Sequence, residues 1–339
     1  MDTLTHTAIG ICSGHLIAGK QLGKKAMLFG VIANNLPDLD VLSNLWASDT
    51  KALLMHRGIT HSFFAGIIFT FALAWCFQRL YPKYNVSFKK WVALFGSGLA
   101  LHLFTDSLTS YGTGWFEPFN HSRVSFNTIF IVDPLFTIPL LVTSIVILFM
   151  KKDSRASFVW SKAGLTISFV YLSFTIFNKL YVDSVIERKL KAQHIAYTDY
   201  FATPTPLNNV LWYIVAKTDT DFKVGYYSIF DKDKVLELYD FKKNDSLLKL
   251  PCDTSSLTDL VRFSKGYYCL RSENDTILFS DMRFGQAGGW YKPDADFVFN
   301  FKLAENCSNK DALQRGRFEA FEDKALPMLW KRMLGLKEK

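Results

Sequence analysis

Residues 63–80, FFAGIIFTFALAWCFQRL, carry a single charge, Arg79, close to the end of an otherwise apolar run. A helix needs roughly 20 such residues to cross the hydrocarbon core of a bilayer, so this stretch reads as a membrane span and sets the fold class. Trp91 to Phe104, Ile129 to Met150 and Gly164 to Phe177 share its character, with little or no charge. Two shorter candidates precede it, about Leu4 to Ala18 and Ala26 to Leu36, each too short to be a span by itself. Neither reads as a cleaved signal peptide, because Asp2 and His6 stand where a basic leader region belongs. At 339 residues, 49% hydrophobic and 16% aromatic, the chain has room for two domains and is apolar for a soluble protein.

The charges between these segments give an orientation. Lys20, Lys24 and Lys25 separate the first two, Arg79, Lys83, Lys89 and Lys90 the third and fourth, and Lys151, Lys152, Arg155 and Lys162 the fifth and sixth. The positive-inside rule makes those loops cytoplasmic. Between them lie loops poor in Lys and Arg, holding Lys51 and Arg57 in one case and Arg123 in the other, which face outward. The net charge of +8 therefore sits in membrane-flanking loops and in a polar second half. No nucleic-acid recognition motif accompanies it, and no nucleic-acid partner is expected.

Six of the seven histidines, His6, His15, His56, His61, His102 and His121, fall in the first 121 residues of the chain. An ionisable residue in a membrane-embedded segment is costly and marks a functional site by default. The topology gathers His6, the Asp38-Leu39-Asp40 turn, His56, His61, His102, Asp106 and Asp133 at one membrane face. His102 and Asp106 stand four apart and share one side of a helix. Asp38 and Asp40 flank Leu39 after Pro37, so both carboxylates can approach one cation. His56-Arg57-Gly58-Ile59-Thr60-His61 reads as a loop that carries two imidazoles to the same place before Ser62 caps the next helix. His6, Asp38, Asp40, His56, His61, His102 and Asp106 are thus candidate ligands for one or two divalent ions, zinc by the histidine content. The bland alternative is a hydrogen-bonded polar network without metal. Asp133, the candidate catalytic carboxylate, precedes Pro134 and could equally cap a helix. His15 reads as packed and His121 as solvated; Tyr111-Gly112-Thr113-Gly114 reads as a turn beside the site.

These residues resemble a known family, the membrane-bound metal-dependent hydrolases described as LexA-regulated, the YdjM-like group. Met1-Asp2-Thr3-Leu4-Thr5-His6, Asn35-Leu36-Pro37-Asp38-Leu39-Asp40, His56-Arg57-Gly58-Ile59-Thr60-His61-Ser62, His102-Leu103-Phe104-Thr105-Asp106, Ser110-Tyr111-Gly112-Thr113 and Asp133-Pro134 carry the likeness, with Arg283-Phe284-Gly285 a looser extension. The resemblance implies a multi-pass bacterial membrane protein assigned as a hydrolase, with these His and Asp positions holding the metal.

Composition changes at about Asp183, which sets expected domains of 1–183 and 184–339. Ser184 to His194 reads as a polar helix leaving the membrane, followed by a Thr-Pro-Thr-Pro turn at 203–206. Val210 to Ala216, Phe222 to Phe230, Val235 to Phe241, Gly266 to Leu270, Thr276 to Asp281 and Phe297 to Leu303 are aromatic or β-branched and partly alternating, as antiparallel strands are. Arg317 to Leu334 reads as a terminal amphipathic helix broken or kinked at Pro327. The expected fold is an α-helical multi-pass membrane domain followed by a small β-rich α+β extracytoplasmic domain. Cys12 and Cys76 read as buried thiols; Cys252, Cys269 and Cys307 permit a disulfide whose pairing stays open.

The chemistry expected of this set is metal-assisted hydrolysis at the outer face of a bacterial inner membrane, in which the ion activates water and polarises a phosphoryl or acyl oxygen. A site at that depth suits an amphiphile, so a phospholipid or isoprenoid phosphate ester is the leading substrate class, with the lipid bilayer itself as partner. Two other classes compete. Intramembrane His and Asp also mark ion pathways, although a transporter would step its ligands through the bilayer. A metal could also merely staple helices in a structural or regulatory protein.

Overall fold

The computed structural model describes residues 1–151, 154–249, 254–273, 276–304, 313–314 and 323–337. They fall into two compact units, one of Met1–Leu42 and Met55–Phe177 and one of Ser43–Leu54 and Asn178–Lys339.

The first unit is helical. α1 (Thr3–Leu22) and α2 (Lys24–Asn35) form a hairpin that turns at Gly23, and the Asp2 carboxylate caps α1 by accepting from Thr5 N. A 3-10 stretch, Pro37–Leu45, and α3 (Asp49–Met55) lead to α4 (Phe63–Leu80), α5 (Phe88–Ser107), α6 (Pro134–Phe149) and α7 (Arg155–Ala192). α4 and α7 are long and apolar enough to cross a bilayer. Only 17% of the apolar window in α4 is buried by the rest of the protein, whereas a soluble core helix would be mostly covered. α1 and α5 reach 20 residues each, yet buried His6, Ser13 and His15 in one and His102, Thr105 and Asp106 in the other dilute their apolar content. The expected segment from Ile129 is helical only from Pro134, because Asp133 stops it there: its Oδ1 accepts from Leu135 N and Phe136 N as an N-cap.

Glycines set how closely the helices approach. A Cβ on Gly14 would lie 2.2 Å from the Ala26 carbonyl oxygen, and one on Gly10 would lie 2.6 Å from that of Gly30. The two backbones therefore touch, and Gly10-x-x-x-Gly14 is the small-residue pattern that permits it. α5 meets α2 in the same way, where a Cβ on Gly98 would stand 2.5 Å from Ala33 Cβ. α6 joins α1 through hydroxyls: Thr5 and Thr137 Oγ1 are 2.7 Å apart, and Ser144 donates to the Ala8 carbonyl. α7 follows at Ser168, which donates to the Phe136 carbonyl.

The second unit holds two antiparallel sheets, β1 (Asp199–Pro204), β2 (Leu211–Lys217), β3 (Asp221–Ser228) and β4 (Leu238–Lys242) in one, β5 (Tyr268–Glu273), β6 (Thr276–Gln286), β7 (Phe297–Ala304) and β8 (Leu313–Gln314) in the other. The C-terminal part of α7 packs Val182, Ile186 and Leu190 against Trp212, Ile214 and Ala216. Alternating with these, Tyr213 and Val215 face Tyr267, Cys269, Met282 and Phe297 of the second sheet. β2 is thus covered on both faces, which is why its sequence alternates only partly. The six expected strands are found with shifted ends, and β4 starts at Leu238, later than the expected Val235. β1, which ends in the first half of the Thr-Pro-Thr-Pro motif, and α8 (Thr254–Phe263) lie outside the expected elements. The terminal helix is α9 (Ala325–Met333), with Pro327 in its first turn and not at a break; much of the expected stretch from Arg317 lies outside the described residues. Cys12, Cys76 and Cys269 are free thiols, and Cys252 and Cys307 lie outside the described residues.

The helix contacts separate two otherwise similar substitutions. Gly14→Ala must push two backbones apart and should cost on the order of 1–3 kcal/mol as overpacking. Gly66→Ala meets nothing closer than Leu103 Cδ2 at 3.8 Å and should gain up to about 1 kcal/mol from helix propensity. Thermal unfolding of the detergent-solubilised chain reads the difference; equal Tm values for the two variants would contradict this packing.

Candidate metal centre

Four side chains from three separate stretches converge in the first unit. Asp38 enters from the turn after α2, His61 from the 3-10 turn Ile59–His61 ahead of α4, and His102 and Asp106 from one face of α5. Ser62 fixes the second approach, its Oγ capping α4 by accepting from Ala65 N. His102 Nε2 lies 3.0 Å from His61 Nε2 and 3.6 Å from both Asp38 Oδ1 and Asp106 Oδ2. His61 Nε2 lies 3.3 Å from Asp38 Oδ1 and 3.4 Å from Asp106 Oδ2. Tetrahedral ligands at the usual zinc bond lengths stand about 3.3 Å apart, which is close to these five separations, and all four atoms lie within 4.8 Å of one another.

The imidazoles are oriented for that role. His102 donates from Nδ1 to the Asn34 carbonyl at 2.6 Å, which leaves the Nε2 lone pair directed at the cluster. His61 Nδ1 lies 3.2 Å from Asp40 Oδ2, so its Nε2 is likewise turned inward. Ring nitrogens of metal-ligating histidines are held in this way by a carbonyl or carboxylate behind them. Asp106 Oδ2 is buried and makes no well-aligned hydrogen bond among the described residues, although Arg57 Nε stands 3.0 Å and His61 Nε2 3.4 Å away as charge partners. The two facing Nε2 atoms, with Asp38 Oδ1 and Asp106 Oδ2 beside them, are the donor set a divalent cation would satisfy.

Asp40 is the hub of the neighbouring loop. Its Oδ1 pairs with His56 Nδ1 at 2.7 Å, and its Oδ2 accepts from Arg57 N at 2.9 Å and from Thr60 Oγ1 at 2.7 Å. Asp38, Asp40 and His56 form a second group with ligand atoms close enough for an ion, sharing Asp38 with the first. His6 joins from α1, with Nε2 3.0 Å from Asp106 Oδ1 and its ring 4.0 Å from that of His102. The Met1 amine also contacts Asp106.

Burial, the largest single effect, raises the Asp38 carboxyl pKa, but the His61 hydrogen bond and the charges of His102 and His61 together outweigh it and hold the group at about 2. Asp40 is likewise held well below the carboxylate range, because hydrogen bonds from His56 and His61 overcome its desolvation. Burial alone would depress His61; hydrogen bonding to Asp106, Asp38 and Asp40 instead raises it to about 9. Both turn carboxylates are therefore ionised at neutral pH, the form that ligates a metal.

Arg57 is a residue the ligand search passed over. It is 2% exposed, with Nε 3.0 Å from Asp106 Oδ2, Nη1 donating to Thr109 Oγ1 at 2.9 Å, and its guanidinium 5.0 Å over the Tyr111 ring. It also has φ of 58°, so the left-handed residue of this loop is Arg57 and not Gly58. A non-glycine held there is backbone strain that the bonds of Asp40 to Arg57 N and of Arg57 to Asp106 and Thr109 hold in place. Arg123 lies on the same Tyr111 ring and donates to the His56 carbonyl.

The remaining candidates are placed differently. Asp133 caps α6 and takes the Tyr171 hydroxyl on Oδ2 at 2.8 Å. His15 is buried beside Ser157 at 3.0 Å and stacked on Phe158. His121 is exposed and paired with Glu117 at 2.7 Å. Gly112 takes the left-handed conformation expected of that turn, with φ of 79°.

Residues 1–182, just over half of the chain, match the family model described as YdjM inner membrane protein. The inner membrane protein YbcI of Escherichia coli (strain K12) is 29% identical over 122 residues, which span 35% of this chain and 69% of that protein. No solved structure matches the chain.

Metal content tests the cluster without reference to activity. The purified chain should carry zinc or another divalent ion, and His102→Ala or Asp106→Ala should lose it while still inserting into membranes, since the apolar content is hardly changed. His15→Ala should keep it. Metal retained in both cluster variants would remove the assignment.

Proposed function

The chain belongs to the YdjM inner membrane protein family, and we propose that it is a multi-pass metal-dependent hydrolase working at the outer face of that membrane. One observation carries the reading: Asp38, His61, His102 and Asp106 converge with ligand atoms all within 4.8 Å of one another, each imidazole nitrogen 3.0–3.6 Å from the other three, mostly buried, with imidazoles braced from behind.

Asp38, His61, His102 and Asp106 would hold one ion, and Asp38, Asp40 and His56 a second, with His6 braced on Asp106. Zinc fits the imidazole and carboxylate donors. A divalent ion there would supply a Lewis acid able to activate water and polarise a phosphoryl or acyl oxygen. The protein's own residues do the rest. Asp40 fixes the His56–His61 loop, and Arg57 offsets the charge of Asp106. For Asp133 we propose a positioning role, since it fixes the start of α6, whose Thr137 meets Thr5 beside His6.

The positive-inside pattern supports the outer face and an extracytoplasmic domain after residue 183. Its internal consistency adds weight: His15, toward the Lys20 end of α1, meets Ser157 beside Arg155, whereas His6 at the other end meets the metal cluster. Leu39, Val41, Leu42 and Ile59 are all about half exposed on the loops that supply the ligands. Such an apolar rim favours an amphiphile, and a phospholipid or isoprenoid phosphate ester is the proposed substrate class. A second reading, a metal that only staples helices, draws on the crowding of Asp106 by Arg57, His6 and the Met1 amine.

Lipid-linked phosphate esters screened against soluble phosphoesters, with the chain in vesicles, decide between these readings. Turnover should favour the lipid-linked substrates and disappear in His102→Ala and Asp106→Ala; full hydrolysis in either variant sinks the mechanism. Normal metal with no turnover on any ester selects the staple.

Sidedness has its own check. Reporters active only inside or only outside the cytoplasm, fused after Lys339, should report outside. Cytoplasmic activity would overturn the topology and the sidedness of the site with it.

A further inference from the structure

We propose that α9 is a membrane-surface helix, whose outward ridge of Leu326, Trp330 and Leu334 beds in the headgroup layer of the bilayer that α7 leaves and holds the C-terminal unit against it. The inference stands apart from the hydrolytic reading.

The ridge is a fact of helix geometry. Ala325, Leu329 and Arg332 are buried, and Arg332 is tied to Asp231 at 2.6 Å. Leu326, Trp330 and Leu334 recur at every fourth position on the other side, and they are 65%, 62% and 50% exposed. Leu336 and Phe230 are exposed as well, and the Phe230 carbonyl would meet a Cβ on Gly335 at 3.0 Å, so they extend the same patch. Exposed Lys324 and Lys331 flank it. A water-facing helix of a soluble domain has no use for tryptophan and leucine in a contiguous outer row.

What covers the row is indicated by where α9 is fastened. The exposed apolar side chains of α7 run through Phe174, Phe177, Leu180 and Tyr181 before Asp183, Glu187 and Arg188 begin its polar turns. Asn178, within that transition, donates to the Asn209 carbonyl at 2.7 Å. Two residues beyond Asn209, Leu211 packs with Trp290, Ala325 and Leu329, and Trp290 Nε1 donates to the Ala325 carbonyl at 3.0 Å. Ser228, the register partner of Leu211, donates to the Met333 carbonyl. Both ends of α9 are thus bound to the end of β2 and β3 that Asn209 ties to the Asn178 turn of α7. The opposite end, the turn at 218–220, is a strand length away. A tryptophan between leucines, bordered by lysines, at that level is the composition of an interfacial helix, and the lysines complement anionic headgroups.

The full chain is reconstituted in vesicles of phosphatidylethanolamine and phosphatidylglycerol. Single variants Leu326→Cys, Trp330→Cys and Leu334→Cys carry an environment-sensitive dye, with the labelled unsubstituted chain as blank and Thr220→Cys as the far-edge control. Lipids brominated in their acyl chains should quench the dye at 326, 330 and 334 several-fold more than at 220. Quenching at the three ridge positions no greater than at 220 overturns the inference. Dye shielded from aqueous iodide yet indifferent to brominated lipid also overturns it, because a protein would then cover the ridge. Should Trp330→Cys fail to insert, positions 326 and 334 decide alone.

Discussion

The close approach of backbones at glycine is the constraint from which the rest of the first unit follows. Gly10 and Gly14 of α1 lie against Gly30 and Ala26 of α2, and Gly98 of α5 lies against Ala33. Each contact stands one helical turn from a member of the His/Asp cluster or its support: Gly10 from His6, Gly30 from Asn34, Gly98 from His102. A helix repeats its face every three to four residues, so fixing the glycine fixes the side chain one turn on. The Asn34 carbonyl can reach His102 Nδ1 at 2.6 Å only because α2 and α5 are that close. Bulkier residues at the crossings would move the ligands by ångströms, more than a coordination shell tolerates.

Charge is the second constraint, and it explains what the glycines are positioned to hold. Asp106 has no solvent exposure, and an unpaired carboxylate in such a place would cost several kcal/mol. Asp38, Asp40 and Asp106 contribute three negative charges against Arg57 and the Met1 amine, so with neutral imidazoles the cluster stays net negative before any cation is added. The raised pKa of His61 is the protein's own response to that excess, a proton taken up where carboxylates converge. A divalent ion answers the same excess, and it also uses the two facing Nε2 lone pairs that a proton uses only once.

Much of this was legible in the sequence, for reasons that differ by residue. His102 and Asp106 follow from helix spacing, Ser62 from capping chemistry, and the approach of the Asp38 turn from charge-derived topology. Asn34 was not legible, because its carbonyl acts and every residue has one. Arg57 was counted as an outward loop charge, whereas it is buried against Asp106 and Tyr111; Arg123 is similarly engaged at His56 and Tyr111. Asp40 was read as a ligand, and its bonds to Arg57 N and Thr60 describe a brace as well. β1 escaped because Asp199 and Pro204 bracket it: Pro204 lacks a ladder donor, yet it is accommodated as the last residue of an edge strand.

The exposure gradient across the cluster suggests how the two halves of its chemistry divide. His61, His102 and Asp106 are sealed, whereas the side chains of Asp38 and His56 are 19% and 29% exposed. The inner three sit where desolvation strengthens electrostatic attraction and where packing denies them alternative rotamers. Asp38 belongs to both groups, so it links the sealed side to the open one. On the hydrolytic reading, substrate would reach the cluster from the Asp38 and His56 side, across Leu39, Val41 and Ile59. An apolar threshold of that kind penalises a fully hydrated ester and favours one whose tail remains in lipid while its head crosses. The selectivity would then reside in loops whose apolar residues look out of place beside so many charges, and the catalytic charges would need no part in choosing the substrate.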